Sequence, residues 1–353
     1  MDPSSPQSPI KKGKRASLLE MFPDINLGSP CSSSSKVIGA MYCLKGSFSK
    51  GWPPASVRIH KETCPTVDKP ADVSTSFQAT QEIISEISEM MKSRDFGAND
   101  MEVVMFEEMA REVFGSNSID RLGLGLNETM RLCIAIFQGS EGLDYNERSE
   151  IYQAKLDAYV KKGTKEGEKS VVRSRREVVQ HAAAFQYIVN QFVKLDQPMS
   201  ESLIKETHRI MTAGLDPAES GNFGIKSFGG KYRQGNEKAF GGANEKTLIA
   251  EIEGNAVLDP FMLAANYCDR FVNIHPFKDG NGRMCRLILN AILIKYAGIV
   301  VSLGEKGGER DEYLLIAAES TRVGGHPGQL GKKVLEIAHG TLRKLKMTLS
   351  RRG

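Results

Sequence analysis

The sequence predicts an all-α protein with one short β-hairpin, preceded by a disordered N-terminal tail. From Ser76 onward, apolar residues recur at the i, i+3, i+4, i+7 spacing that is typical of amphipathic helices. One stretch, between Gly221 and Lys246, is instead rich in glycines and aromatic residues, which indicates a hairpin. Before Ser76, serine and proline dominate and the apolar residues have no sustained period.

The predicted disordered tail covers residues 1–75. Its composition cannot bury enough apolar surface to offset the backbone entropy that folding would cost. Lys11–Arg15 form a basic cluster in it, and a second basic tail ends the chain at 346–353. Because the formal net charge is only +4 over 353 residues, we predict no nucleic-acid partner.

Helices are predicted along the rest of the chain from their periodicity and their end signals. Residues 76–115 contain two of them. Asn127 is the predicted cap of the next helix, which Gly139 ends, and Ser200 caps another. The pattern at 282–298 is apolar nearly all round, which predicts a central helix. The predicted helices span residues 79–94, 101–114, 128–137, 146–162, 175–195, 201–214, 259–275, 282–298, 311–320 and 330–349.

The cysteines and the hydropathy pattern indicate the compartment. None of the six cysteines forms a C-x-x-C pair, and no Cys/His group has zinc-like spacing, so a reducing compartment is predicted. The N-terminus has no apolar signal-peptide core, and no run of about 18 apolar residues occurs anywhere. We therefore expect a cytoplasmic protein, with the nucleus as the alternative, and no membrane partner.

The most informative stretch is "HPFKDGNGRMCR", from His275 to Arg286, which lies between two apolar helical patterns. Pro276 cannot continue the first helix. Gly280 and Gly282 flank Asn281 where the second helix begins, which leaves free backbone N–H groups at a positive helix end. Such an end is an anion site, to which Asn281 would add a side-chain amide donor.

The other side chains of this stretch suit a phosphate ester. Arg283 and Arg286 lie three residues apart, on one helix face, and can each pair with a phosphate group. Asp279 suits a Mg²⁺ ion that also binds phosphate oxygens. His275 could take the proton of an attacking hydroxyl, and Phe277 is an apolar anchor for the loop. Together they predict a nucleoside polyphosphate–Mg²⁺ site with a general base.

This stretch resembles the signature of the Fic domain, H-P-F-x-[D/E]-G-N-G-R-x-x-R, at every fixed position. The similarity spans roughly residues 116–345 and includes Gly230–Arg233 ("GKYR"), which resembles the family's lead into its flap. The resemblance implies an all-α Fic-type helical bundle. It also implies a reaction, the transfer of AMP from ATP to a Ser, Thr or Tyr hydroxyl of a target protein, with release of pyrophosphate.

The resemblance also implies a role for each residue of the stretch. His275 would be the general base and Asp279 the Mg²⁺ ligand. The anion hole for the α- and β-phosphates would come from Gly280, Asn281 and Gly282, with Arg283 on the distal phosphates and Arg286 on the γ-phosphate. A flap near residues 239–243, with Phe240, Gly241 and Gly242, would align the target main chain by strand-like pairing.

Members of this family often carry an autoinhibitory helix with the pattern [S/T]-x-x-x-E-[G/N], whose Glu pairs with the last Arg of the signature. The matching segment here is "SNSIDR", from Ser116 to Arg121, in a predicted inhibitory helix near 116–137. Asp120 replaces the Glu and Arg121 replaces the Gly or Asn. Because Asp is one methylene shorter, we hypothesise weakened or altered autoinhibition through Asp120.

Three alternatives stay open. The same site could remove AMP from a modified protein or transfer a different nucleotide, and the signature does not separate these reactions. The protein could also be a Fic-fold interaction scaffold without catalytic activity, although the intact His275, Asp279 and Arg283 count against this. The sequence is compatible with a homodimer but does not decide the oligomeric state.

Overall fold

The computed structural model describes residues 70–93, 98–139, 165–215, 228–233, 259–320 and 325–352, with residues 150, 153, 154 and 157. Nearly all of the predicted tail and the whole of the predicted flap, with Phe240, Gly241 and Gly242, lie outside these residues. No helix within the described ranges is long and apolar enough to cross a membrane.

The described residues fold into α-helices without a β-strand, so the all-α prediction is confirmed for them. One isolated antiparallel bridge joins Tyr232 to Phe277. In chain order the helices are α1 (Pro70–Ser93), α2 (Ala98–Ile119), α3 (Leu126–Gln138), α4 (Lys165–Ile188, extended by a π-helical turn, Val189–Lys194), α5 (Glu201–Met211), α6 (Pro260–Ile274), α7 (Asn281–Ala297), α8 (Glu309–Ser320) and α9 (Gly328–Arg352).

Several helix ends differ from their predicted positions. Helix α1 begins at Pro70, before the boundary at 75, since proline is well tolerated in the first turn of a helix. The predicted basic tail at 346–353 is largely helical, because α9 continues to Arg352. Asn127 is not a cap; it lies inside the first turn of α3, which follows Gly125.

Other end signals are confirmed. The Ser200 hydroxyl accepts a hydrogen bond from the backbone N–H of Leu203, which caps α5. Gly139 ends α3 with a left-handed φ of 64°, a conformation that glycine adopts without strain. At the start of α6, a cap that was not predicted is present: the Asp259 carboxylate accepts hydrogen bonds from the backbone N–H groups of Phe261 and Met262.

Helix α7 is the central element, as its apolar pattern predicts. It packs against α6, α4 and α2, and fourteen of its residues are buried. The polar exception in its middle is Asn290, whose side chain binds the backbone N–H and carbonyl of Val301. This pairing satisfies a buried amide and holds the chain that follows α7 against the helix. The first turn of α7 is thereby fixed in the protein core, beside the end of α2.

Candidate active site

The loop between α6 and α7 is shaped by its own hydrogen bonds. His275 ends α6 in a left-handed conformation, with φ 49° and ψ 54°. The Asn281 amide donates to the Phe277 carbonyl at 2.8 Å and accepts from the Phe277 N–H at 2.9 Å. The sequence predicts this amide as a donor to the anion, but the structure uses it to close the loop. One N–H of the amide and the amide oxygen are thus used within the loop, and a hydrogen bond from this side chain to an anion stays a prediction.

The two glycines of the loop let other groups approach closely. Gly280 has a φ of 78°, and a Cβ there would lie 2.8 Å from the Met211 methyl. A Cβ on Gly282 would lie 3.2 Å from an Arg286 nitrogen. No side chain caps the start of α7. The first N–H groups of α7 thus face the site with no bulk beside them, as an anion site requires.

Arg286 is almost fully buried and has three hydrogen bonds to the end of α2. It donates to the Ser116 hydroxyl at 2.7 Å, to the Ser116 carbonyl at 3.0 Å and to the Asp120 carboxylate at 2.8 Å. Burial alone would lower the pKa of Arg286, but the Asp120 charge raises it overall, so the guanidinium is cationic. The shorter Asp120 side chain therefore reaches Arg286 in this fold.

The residues that carry this contact lie at a helix end. Ser116 is in the last turn of α2, and Asp120 follows directly after its last residue, Ile119. The predicted inhibitory helix near 116–137 is in fact the end of α2, a turn, and α3 from Leu126 onward. Arg310 of α8 donates to the Ile119 carbonyl at 2.8 Å and so holds this turn in place.

Arg283 is buried but has few partners. Its nearest carboxylates, those of Asp120 and Asp279, lie 3.8 and 3.9 Å away. Its Nε and Nη1 atoms have no hydrogen-bond partner within the described residues. Buried guanidinium donors are costly to leave unpaired, so these two atoms are suited to an anionic ligand.

A cavity of about 440 Å³ brings seven of the predicted site residues together, while Ser116, Phe277 and Arg286 do not line it. His275 lies at this cavity, and burial and the nearby Arg233 lower the pKa of its imidazole, which keeps it neutral and able to accept a proton. The lining residues include Asp120, His275, Asp279, Gly280, Asn281, Gly282 and Arg283 of the predicted set, and Arg173, Glu177, Lys278, Arg310 and Leu314 outside it.

Asp279 is the one predicted metal ligand, and its surroundings fit Mg²⁺. Its carboxylate is 63% exposed at the cavity, and one oxygen accepts the Gly280 N–H at 2.6 Å. The described residues contain no cluster of three or more side chains that could hold a metal ion by themselves. A single carboxylate suits Mg²⁺ because this ion usually completes its shell with water and phosphate oxygens.

His208 of α5 has a position that the sequence did not reveal. Its ring is fully buried and stacks on Phe277, with ring centroids 3.6 Å apart and planes 1° apart. Burial lowers the pKa of His208 to about 4, so the ring is neutral. A single histidine on the buried face of a predicted helix gave no signal of this contact.

Glu112, one helical turn before Ser116, is also buried, and among the described residues neither of its carboxylate oxygens has a hydrogen-bond partner. Burial raises the pKa of Glu112 to about 8, although Arg286 acts to lower it. The folded protein therefore holds Glu112 protonated at neutral pH, whereas the unfolded chain ionises it above about pH 4.3. The stability that this group contributes is present below that pH and is lost as the pH rises towards 8.

We expect Glu112→Gln, which cannot ionise, to gain stability relative to the parent as the pH rises from 5 to 8. The gain is at most roughly 1.4 kcal/mol per pH unit. Denaturant unfolding of both proteins at pH 5, 6.5 and 8 measures it. The buried His181, whose pKa is lowered by burial, has the opposite pH dependence. Its Nε2 lies 4.0 Å from Glu112 Oε2, so the measured difference includes the change in its titration. A stability difference that does not vary with pH would show that Glu112 is ionised in the folded state.

Residues 198–293 match the model of the Fic/DOC family. This chain carries a Fic domain. The matched part contains α5, α6 and the entire stretch from His275 to Arg286, and it ends inside α7. It is shorter than the span of 116–345 that the resemblance predicts, so the outer boundaries of the Fic domain remain a prediction.

Curated relatives are similar to a part of the chain. The protein named "protein adenylyltransferase Fic" of Culex quinquefasciatus is 28% identical over 156 residues, which are 42% of this chain and 30% of the relative. The protein of the same name from Nematostella vectensis is 29% identical over 129 residues, 35% of this chain and 30% of the relative. This chain thus matches less than a third of the length of these relatives.

Solved structures are similar in fold. A fragment of Fic-1 from Caenorhabditis elegans has a TM-score of 0.56 at 18% identity, with 80% of this chain and 76% of that chain covered. A Fic family protein from Desulfovibrio desulfuricans G20 has a TM-score of 0.51 at 18% identity, with the same coverage. At this identity the likeness supports the fold of the Fic domain, which is all-α.

Proposed function

We propose that this Fic domain transfers AMP from ATP to a Ser, Thr or Tyr hydroxyl of a target protein and releases pyrophosphate. The observation that carries the proposal is a single cavity with a neutral imidazole, His275, at one side and the start of α7 at the other. Two buried guanidiniums, Arg283 and Arg286, lie beside that helix start. The adenylyltransferase name of the relatives supports AMP as the transferred group.

The geometry suggests how ATP would lie. The α- and β-phosphates would accept hydrogen bonds from the backbone N–H groups of Asn281 and Gly282, at the positive end of α7. The Gly280 N–H would join them once it leaves the Asp279 carboxylate that accepts it in this structure. The unpaired donors of Arg283 would bind the distal phosphates. Arg286 would bind the γ-phosphate once Asp120 has moved away. This arrangement puts the leaving pyrophosphate on the arginines and the α-phosphorus towards His275.

The transfer itself needs one proton acceptor. The oxygen of the target hydroxyl attacks the α-phosphorus, the bond between that phosphorus and the bridging oxygen of the β-phosphate breaks, and His275 takes the hydroxyl proton. The N–H groups of α7 and the two arginines stabilise the charge that moves onto pyrophosphate. Asp279 would hold Mg²⁺, which when bound neutralises phosphate charge. The target main chain would pair with the flap near Phe240, Gly241 and Gly242, as the resemblance implies.

We further propose that Asp120 restrains this reaction. Its carboxylate occupies the Arg286 donor that the γ-phosphate would need, at 2.8 Å. Ser116 takes two more donors of the same guanidinium. A carboxylate and a phosphate cannot share these donors, because their like charges repel each other at this distance. The contact distance supports a restraint that is altered in chemistry, with Asp in place of Glu, and retained in strength.

The restraint gives Arg310 a measurable role. Arg310→Ala removes the hydrogen bond to the Ile119 carbonyl and should loosen the Asp120 turn, since such a bond contributes about 1–2 kcal/mol. We expect AMP transfer to rise severalfold. The matched control is Lys333→Ala, which removes another cation that contacts α8, at Glu312. Initial rates of label incorporation are measured for both variants. Equal rates would show that the hydrogen bond from Arg310 to the Ile119 carbonyl does not restrain AMP transfer.

The proposed function is tested with ATP labelled at either end. Purified protein and Mg²⁺ are incubated with ATP carrying ³²P at the α- or at the γ-position, with and without a cell extract as a source of targets. Without extract, AMP transfer predicts protein labelling from the α-label and none from the γ-label. With extract, whose protein kinases use the γ-label, it predicts labelling from the α-label above that of extract alone. Labelling from α-labelled GTP, CTP or UTP instead would identify another nucleotide donor. Loss of AMP from a pre-modified protein, without labelling, would favour the reverse reaction, and no activity or nucleotide binding would favour a scaffold.

A further inference from the structure

We propose that His208 is a positioning residue. It joins the loop at Asp279 and Gly280 to the segment that begins at Gly230, and thereby fixes the two backbone segments that flank His275. The inference rests on the proposed function for its kinetic consequence. Its structural consequence, the joining of two segments through one ring, can be measured separately.

The hydrogen bonds of His208 define one tautomer. The Gly230 backbone N–H donates to Nδ1 at 2.9 Å, so Nδ1 is an acceptor. Nε2 therefore carries the proton and donates to the Asp279 carbonyl at 2.9 Å. A neutral imidazole satisfies an N–H and a carbonyl on opposite sides of itself. Since His208 is fully buried, water cannot replace it at either bond.

Both bonded segments contact the loop that holds the reacting groups. On one side, the Asp279 carbonyl belongs to the residue whose carboxylate would hold Mg²⁺, and Gly280 starts the anion site. On the other side, the Gly230 segment continues into Arg233, whose N–H donates to the Pro276 carbonyl at 2.8 Å and whose side chain donates to the Phe277 carbonyl at 2.6 Å. His208 thus anchors both of the backbone segments that flank His275.

The Phe277 stack adds a third constraint. The ring of His208 lies flat on Phe277, which is fully buried beneath the loop. His208 does not line the cavity, so it has no direct contact with a ligand there. Its effect has to pass through the loop. A displacement of about 1 Å in a reacting group can lower a rate by roughly a hundredfold.

Three substitutions separate these contacts. His208→Phe keeps a flat ring on Phe277 but removes both hydrogen bonds. His208→Gln keeps a donor that can reach the Asp279 carbonyl, and His208→Asn keeps an acceptor near the Gly230 N–H. The matched control is His339→Phe, which removes a histidine that binds Thr80 between α9 and α1, away from the site.

The first readout is amide hydrogen exchange of peptides that cover residues 228–233 and 276–284, without nucleotide. In His208→Phe we expect exchange at least tenfold faster in both peptides, and in His339→Phe no change in either. His208→Gln should protect the second peptide more than the first, and His208→Asn the reverse. Unchanged exchange in both peptides of His208→Phe would overturn the proposal. If His208→Phe does not fold, the exchange rates of His208→Gln and His208→Asn test the proposal instead. Patterns that are not opposite in these two variants would overturn it.

The second readout is AMP transfer. We expect kcat to fall roughly 10- to 100-fold in His208→Phe, with a higher half-saturating Mg²⁺ concentration and partial recovery of both in His208→Gln. A mere loss of folded protein would lower the rate but leave the Mg²⁺ dependence unchanged, and that result would contradict positioning. If the parent protein transfers no AMP, the proposed function fails, while the exchange experiment still decides whether His208 joins the two segments.

Discussion

His275→Ala is expected to lower AMP transfer by roughly a thousandfold, the middle of the range for removal of a general base. The loss should fall on kcat, because His275 would take the hydroxyl proton and the phosphates would be held by the start of α7 and the arginines. Binding of Mg²⁺–ATP, measured by calorimetry, should change less than threefold. Label incorporation from α-labelled ATP at saturating nucleotide gives the rate.

The control for this variant is His326→Ala. His326 accepts a hydrogen bond from the Gly328 N–H at the start of α9, so its loss also removes an imidazole contact. It should retain the parent rate. A His275→Ala protein that still labels targets at more than a tenth of the parent rate would exclude His275 as the general base.

Asp120→Gly is expected to raise AMP transfer and ATP affinity at least tenfold. The change removes a charge-assisted hydrogen bond to Arg286, a kind of bond that contributes about 1.5–3 kcal/mol. Asp120→Asn, which keeps a neutral acceptor, should give a smaller rise. The Kd for Mg²⁺–ATP and the labelling rate of each variant are the measurements.

Asp196→Gly serves as the control for the Asp120 variants. Asp196 pairs with Lys295 and has a φ of 51°, so glycine fits there, and the ion pair that is lost does not involve Arg286. Labelling and affinity should stay at the parent values. Asp120→Gly with an unchanged Kd for Mg²⁺–ATP would mean that the Asp120–Arg286 contact does not compete with the γ-phosphate.

The two changes act on different steps, which a double variant can separate. His275→Ala combined with Asp120→Gly should bind Mg²⁺–ATP as tightly as Asp120→Gly alone, since the two side chains contact different parts of the nucleotide in our proposal. It should transfer AMP at least tenfold faster than His275→Ala and roughly a thousandfold more slowly than Asp120→Gly. Independent effects of this kind are expected for sites that share no partner.

The sequence by itself determined the features that depend on neighbours along the chain. The periodicity of the apolar residues determined the helices. The residues from His275 to Arg286 determined a loop and a helix start, at which an anion site is predicted. Short-range geometry is enough for this, because Gly280, Gly282 and Arg283 need only the backbone of one loop and the first turn of α7 to converge. Helix ends were less certain, as Asn127 and the start of α1 illustrate, since capping competes with packing.

Only the tertiary structure decided which distant groups meet this loop. Ser116 and Arg286 are 170 positions apart in the chain and hydrogen-bonded in the fold. The packing of α2, α5 and α7 also decides four other features. These are the contact between Asp120 and Arg286, the hydrogen bonds of the Asn281 amide, the burial of Glu112 and the two hydrogen bonds of His208. A sequence pattern names the chemical groups of a local segment. Whether a carboxylate one methylene shorter still meets its guanidinium depends on distances of less than 1 Å, which packing between helices sets.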